Sequence, residues 1–183
     1  MPTILPSSRP QQERAKTEAT LQANGVVDGF ALIGVRGYYL KSMGAADKND
    51  RGIYDDAILL LTPSAYITFN ANCDPSLFRP HIATLKTGKW MYKIGIHGMS
   101  KPPSRRYKAL VQAAQVVVQR DGAADERGFF GINIHRGSRN STSSLGCQTI
   151  HPDQWEAFIA LVEGEMKRAG RKEIPYVLTE RKV

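Results

Sequence analysis

The stretch Gly131–Trp155, GINIHRGSRNSTSSLGCQTIHPDQW, changes character twice before it ends. A run with β-branched residues closes at His135. A polar stretch of Arg, Gly, Ser, Asn and Thr follows, and Ser144-Leu145-Gly146-Cys147 leads into a helix start. The first run reads as a strand, the polar stretch as a loop, and His151-Pro152-Asp153 as the entry to a helix. Cys147 follows His135 by twelve positions, and a loop over 136–146 can return the chain to the strand it left.

Working outward, 152–170 is the clearest helix. Pro152 suits its first turn, Asp153 and Glu156 favour its N-terminus, and Gly170 ends it. Trp155, Phe158, Ile159, Val162 and Met166 recur at helical spacing, so one face is apolar. IPYVLTER (174–181) reads as a final strand. GFALIGVRGYYL (29–40), AILLLTPSAYITFN (57–70), WMYKIGIHG (90–98) and GFFGINIHRG (128–137) carry β-branched and aromatic residues between glycines and read as strands. GAADKNDRGIYDD (44–56) reads as a loop. Residues 104–119 suit a short helix around Tyr107, Leu110 and Val111, or a strand at their QVVVQ end. QQERAKTEATLQAN (11–24) is rich in helix formers, with Gly25 as a stop. Residues 1–10, rich in Pro and Ser, read as loose. The expectation is a mainly β fold with α (α+β), one or two helices packing on the strands. An N-terminal arm and helix over 1–25 precede a single domain over 26–183.

The 183-residue chain is 42% hydrophobic, enough for one buried core. Lys and Arg outnumber Asp and Glu by 25 to 17, giving a formal charge of +8 and an expected anionic partner. No run of about 18 apolar residues is present. The N-terminus lacks the pattern of a signal peptide, so synthesis in the cytoplasm is expected, with release or injection before any action in the periplasm or cell wall. Two cysteines do not make a disulfide framework, and free thiols are the default.

Cysteine is a nucleophile as the thiolate and needs a base or a positive field nearby. His135 can supply the base and pair with Cys147 as thiolate and imidazolium, with the Arg136 carbonyl as third contact. Gly146 lets backbone approach a substrate without a Cβ in the way. N–H groups around Gly146 and Cys147 can then face an oxyanion. The catalytic candidates are therefore Cys147, His135, Arg136 and Gly146.

The segment Ile132–Ile150 resembles the active-site segment of the L,D-transpeptidase (YkuD-type) family: a histidine closing a strand, a nearby glycine, a polar loop, then Ser-His-Gly-Cys. His135, Gly137, Ser144, Gly146 and Cys147 match it. The resemblance implies a β-rich fold, a cysteine nucleophile, a histidine base held by a backbone carbonyl, no metal or other cofactor, and peptidoglycan stem peptides as substrate. Leu145 stands where the family has a second histidine, Gln148-Thr149 replaces an apolar-Arg pair, and the loop is shorter. Arg136 or Arg139 is the expected substitute for that arginine. Ser144, Gly137, His97 and Arg139 are the expected substrate-binding residues. Relatives without export signals include phage lysis enzymes and injected toxins. The expectation is thus a monomeric, endolysin-like peptidoglycan hydrolase that binds neither nucleic acid nor, stably, membrane. An L,D-transpeptidase exchanging D-amino acids is the alternative, or a non-enzymatic basic module for wall polymer or nucleic acid.

Other residues carry weaker signals. His97, before a glycine at a strand end, can line the same cleft and orient substrate or the His135 ring. The histidines at 81, 97, 135 and 151 lack zinc-ligand spacing. Asp50, Asp55 and Asp56 fit either a cation site or a turn at an exposed strand start. Cys73 lies beside Asp74, which raises a thiol pKa, so it is not the chosen nucleophile. Arg105, Arg106 and Lys108 form a basic group suited to an anionic polymer.

Overall fold

The computed structural model describes residues 4–181 and contains two helices and eleven strands. Eight strands close into a barrel. In chain order they are β1 (Ala31–Arg36), β2 (Asp56–Leu61), β3 (Tyr66–Asn72), β5 (Gly88–His97), β6 (Tyr107–Gln112), β9 (Ile134–Arg136), β10 (Gln148–Ile150) and β11 (Ile174–Glu180). Around the barrel the order is β1-β11-β5-β6-β9-β10-β3-β2, with β2 paired back to β1. Closure leaves no open barrel edge. A small separate sheet is formed by β4 (Ala83–Leu85), β7 (Val116–Arg120) and β8 (Glu126–Gly128), in the order β4-β7-β8. The expected mainly β fold with α is what forms.

Most neighbours are antiparallel, and β1–β11 and β9–β10 are the parallel pairs. The 57–70 run splits at Thr62–Ala65, where the Thr62 N–H donates to the Ala65 carbonyl and closes the β2–β3 hairpin. The core joins Leu32, Ile58, Leu60, Phe69, Leu110, Ile134 and Ile150 to Trp155, Phe158 and Val162 of α2 (Pro152–Arg168). The face of α2 predicted apolar is the buried one. His151 caps its N-terminus, Nδ1 accepting from Asp153 N–H at 3.3 Å. The other helix, α1 (Arg14–Ala23), packs Leu21 against Ala31, Ile33, Ala57 and Leu59, the opposite side of β1 and β2.

Three expectations change. First, the arm before α1 is not loose over its described part. The Ile4 carbonyl accepts from Tyr54 N–H at 2.7 Å, the Ser8 carbonyl from Tyr39 Oη at 2.8 Å, and the Pro10 carbonyl from Thr68 Oγ1 at 2.8 Å. Residues 1–3 lie outside the described residues. Second, the helix expected around Tyr107 is strand β6. A single 3-10 turn, Pro103–Arg105, precedes it, and the six residues Tyr107–Gln112 then pair with β5. Third, only Ile134–Arg136 of the 128–137 run joins the barrel. Gly131 has φ +69° and breaks the run, and the Gln112 Oε1 accepts the Phe130 and Ile132 N–H groups in place of a strand partner.

Candidate active site

The parallel β9–β10 ladder aligns Ile134 with Gln148 and His135 with Thr149. Cys147, one residue before β10, therefore stands beside Asn133, one residue before β9. Asn133 N–H donates to Cys147 Sγ at 3.4 Å, and the thiol donates to the Gly131 carbonyl at 3.4 Å. That carbonyl is free for the thiol because the chain left the ladder at Gly131. Ile134 points into the core, so strand alternation sends Asn133 and His135 to the other face together.

His135 is held tightly. Its Nδ1 donates to the Arg136 carbonyl at 2.8 Å, and Tyr107 Oη lies 3.3 Å from the same carbonyl and from Nδ1. This bond puts the ring proton on Nδ1 and leaves the Nε2 lone pair as the base. The His97 ring stacks on His135, centroids 4.1 Å apart, and the Asn133 side-chain amide donates to His97 Nδ1 at 3.1 Å. Two adjacent imidazoles under partial cover disfavour charge. Burial, then the neighbouring His97, pushes His135 down to about 4. Burial and Lys101 push His97 down. Burial pushes the Cys147 thiol up, opposed by the Asn133 N–H bond and by Lys101. Desolvation thus favours the neutral thiol and the neutral imidazole over the thiolate and imidazolium forms.

The loop 137–146 is built by packing. A Cβ on Gly137 would overlap the Tyr54 hydroxyl, which donates to the Ser138 carbonyl at 2.7 Å. Gly146 has φ +127°, and a Cβ there would overlap the Ala83 carbonyl oxygen, so its space is filled by this chain rather than left for a substrate. Ser144 is 1% exposed. Its Oγ donates to the Cys147 carbonyl at 2.6 Å and accepts from Gly146 N–H at 3.0 Å. Expected as substrate contacts, Ser144 and Gly137 instead hold the turn that presents Cys147. Arg139 pairs with Asp153 at the start of α2 and is engaged there. Arg136 places its guanidinium 4.9 Å from the Tyr107 ring centre and contributes its carbonyl to the site. Leu145 is 61% exposed.

Cys73 is fully buried and its thiol is pushed well up by burial and by Asp56, in line with its exclusion as nucleophile. Asp55 and Asp56 are fully buried, not at an exposed strand start. Lys108 pairs with Glu163 on α2, and Arg106 donates to the Lys101 carbonyl, which leaves the basic group partly engaged. No group of three His, Cys, Asp or Glu side chains placed to hold a metal occurs among the described residues. None of their helices is long and apolar enough to cross a membrane.

Sequence reasoning missed Asn133, Tyr107 and Lys101. Asn133 was findable: a polar residue two before His135 shares its strand face. Tyr107 and Lys101 lie on the neighbouring strand and the loop leading to it, and no local pattern ties them to His135.

Comparison of the chain with protein-family models, with curated proteins and with solved structures found no match.

Proposed function

We propose that this protein is a cysteine peptidase that cleaves peptidoglycan stem peptides or their cross-links through an acyl-enzyme on Cys147. The observation that carries the reading is the His135 imidazole, fixed by the Arg136 carbonyl, on the strand beside the Cys147 thiol. The likeness of Ile132–Ile150 to L,D-transpeptidases and the charge of +8 support an anionic wall polymer as substrate.

The neutral resting pair sets the order of steps. Substrate binding brings a carbonyl carbon to Sγ. The thiol proton passes to His135 Nε2 as the C–S bond forms, and the carbonyl electrons move to oxygen. The imidazolium then returns that proton to the leaving amine as the C–N bond breaks. Water, deprotonated by the same nitrogen, releases the acid and restores the thiol. Arg136 and Tyr107 keep the ring in register throughout.

Purified protein incubated with Gram-negative sacculi should release muropeptide fragments with new carboxyl ends, and Cys147→Ala and His135→Ala should release none. Equal digestion by Cys147→Ala would overturn the reading. Salt-sensitive binding to sacculi without cleavage would favour a wall-binding module instead.

A further inference from the structure

Gln148, which departs from the family pattern, lies at one end of a buried polar relay inside the barrel. Its Nε2 donates to the Gly146 carbonyl at 3.3 Å. Its Oε1 accepts from Tyr176 Oη at 3.1 Å, and Cys73 Sγ lies 3.5 Å from the same hydroxyl. Gln148 and Tyr176 are each 0% exposed. Gly34 on β1 leaves room for that hydroxyl, since a Cβ there would overlap it.

The Gly146 carbonyl and the Cys147 N–H belong to one planar trans peptide, so they point in opposite directions. Fixing the carbonyl inward fixes the N–H outward. The neighbouring polar groups are already used: Ser144 Oγ takes the Gly146 N–H and donates to the Cys147 carbonyl. The Cys147 N–H makes no hydrogen bond among the described residues. It sits on the residue whose sulfur would attack.

We infer that Gln148, braced by Tyr176, is a positioning residue that turns the Gly146–Cys147 peptide so that the Cys147 N–H receives the oxyanion. This rests on the acyl-transfer reading above. It assigns a function to the residue that replaces the family's apolar position after the cysteine. A side-chain amide can hold a carbonyl here, where an apolar residue cannot.

The test compares two reactions of the same sulfur. Acylation by p-nitrophenyl acetate passes through an oxyanion: the C–S bond forms, the ester C–O bond breaks, p-nitrophenolate leaves and the thiol proton goes to His135. Alkylation by iodoacetamide displaces iodide at a saturated carbon and forms no oxyanion. Gln148→Met should lower the acylation rate by about 10²-fold, the scale of one lost oxyanion donor, with alkylation within about threefold of wild type. Tyr176→Phe keeps the ring and should give a smaller loss of the same kind, which covers the case in which Gln148→Met does not fold. Gln148→Glu should recover acylation relative to alkylation as the pH falls, because only the protonated carboxyl can donate to the Gly146 carbonyl. Acylation and alkylation that fall together, or a Gln148→Glu ratio insensitive to pH, would overturn the inference. A wild-type protein that reacts with the ester but leaves sacculi intact would overturn the peptidoglycan reading and leave this one standing.

Discussion

The barrel holds two buried clusters of titratable side chains, built on opposite principles. Around His135 the imidazoles and the Cys147 thiol are pushed toward their neutral forms and tied to a backbone carbonyl, an amide or a neighbouring ring. Behind the 37–55 loop, Asp55, Asp56 and Asp74 are closed in with Arg36. There Asp56 accepts the Gly37 and Cys73 N–H groups at 2.6 and 2.5 Å. Arg36 stands 3.0 Å from Asp74 and donates to the Cys73 and Leu85 carbonyls. Asn49 Oδ1, Asp55 Oδ1 and Asn72 Oδ1 are buried there without a partner. Like charges and burial push Asp56 well up and Asp55 up to about 7, burial first in both. The difference teaches two ways of burying polar groups. The neutral cluster is held by carbonyl, amide and ring contacts, and on the proposed function it is the one that reacts. The charged cluster ties the loop to β1, β2 and β3.

The sharpest break of that contrast is to delete one member from each side. Cys147→Ala should lower sacculus digestion by at least about 10³-fold while the thermal midpoint stays close to wild type, because the thiol makes only 3.4 Å contacts. Arg36→Met should do the reverse. It strands buried carboxylates and should cost about 3–5 kcal/mol in urea denaturation, with activity per folded molecule retained. A Cys147→Ala protein that melts early, or an Arg36→Met protein of normal stability, would undo the contrast.

Much of the reactive side was legible in the sequence, and most of the charged side was not. His135, its strand, the returning loop and Cys147 lie within one short stretch, and period-two and helical patterns locate β9 and α2 locally. The arm at 4–12, strand β6 and the burial of Asp55 are set by contacts that no local pattern announces: Tyr54, Tyr39 and Thr68 for the arm, the β5 ladder for β6 and the Asp50 N–H for Asp55. Tyr107 was misplaced for the same reason, since its apolar spacing suits a helix until β5 supplies a ladder. Gly146 and Ser144 stand out in the sequence beside Cys147, yet contacts within the chain account for both. Ala83 and Ser76, which press on that turn, lie more than sixty positions upstream.

A pH series separates the two clusters by sign. Asp55 in the folded protein titrates at about 7 against an ordinary 3.8, so between about 4 and 7 the folded state holds the extra proton and stability falls as pH rises. His135 titrates at about 4 against an ordinary 6.5, so the unfolded state holds the extra proton and stability falls as pH drops through that window. Asp55→Asn should therefore gain most over wild type near pH 7, and His135→Gln near pH 4. Each effect is of order 1–3 kcal/mol by chemical denaturation. Parallel stability curves for both variants would remove the sign difference.

The smallest effect expected is the most specific to the reactive cluster. Tyr107 Oη lies 3.3 Å both from the Arg136 carbonyl that accepts from His135 Nδ1 and from Nδ1 itself, so the hydroxyl steadies the ring and its acceptor together. Tyr107→Phe keeps the ring that meets Trp155 edge-on at 6.2 Å, so packing is preserved. One neutral hydrogen bond of about 1 kcal/mol predicts a fall in kcat of roughly fivefold, with KM and the thermal midpoint unchanged. A loss confined to kcat ties the hydroxyl to imidazole orientation during proton transfer. A loss of stability with kcat intact would move Tyr107 to the structural side, leaving the Arg136 carbonyl and the stacked His97 ring to restrain the base.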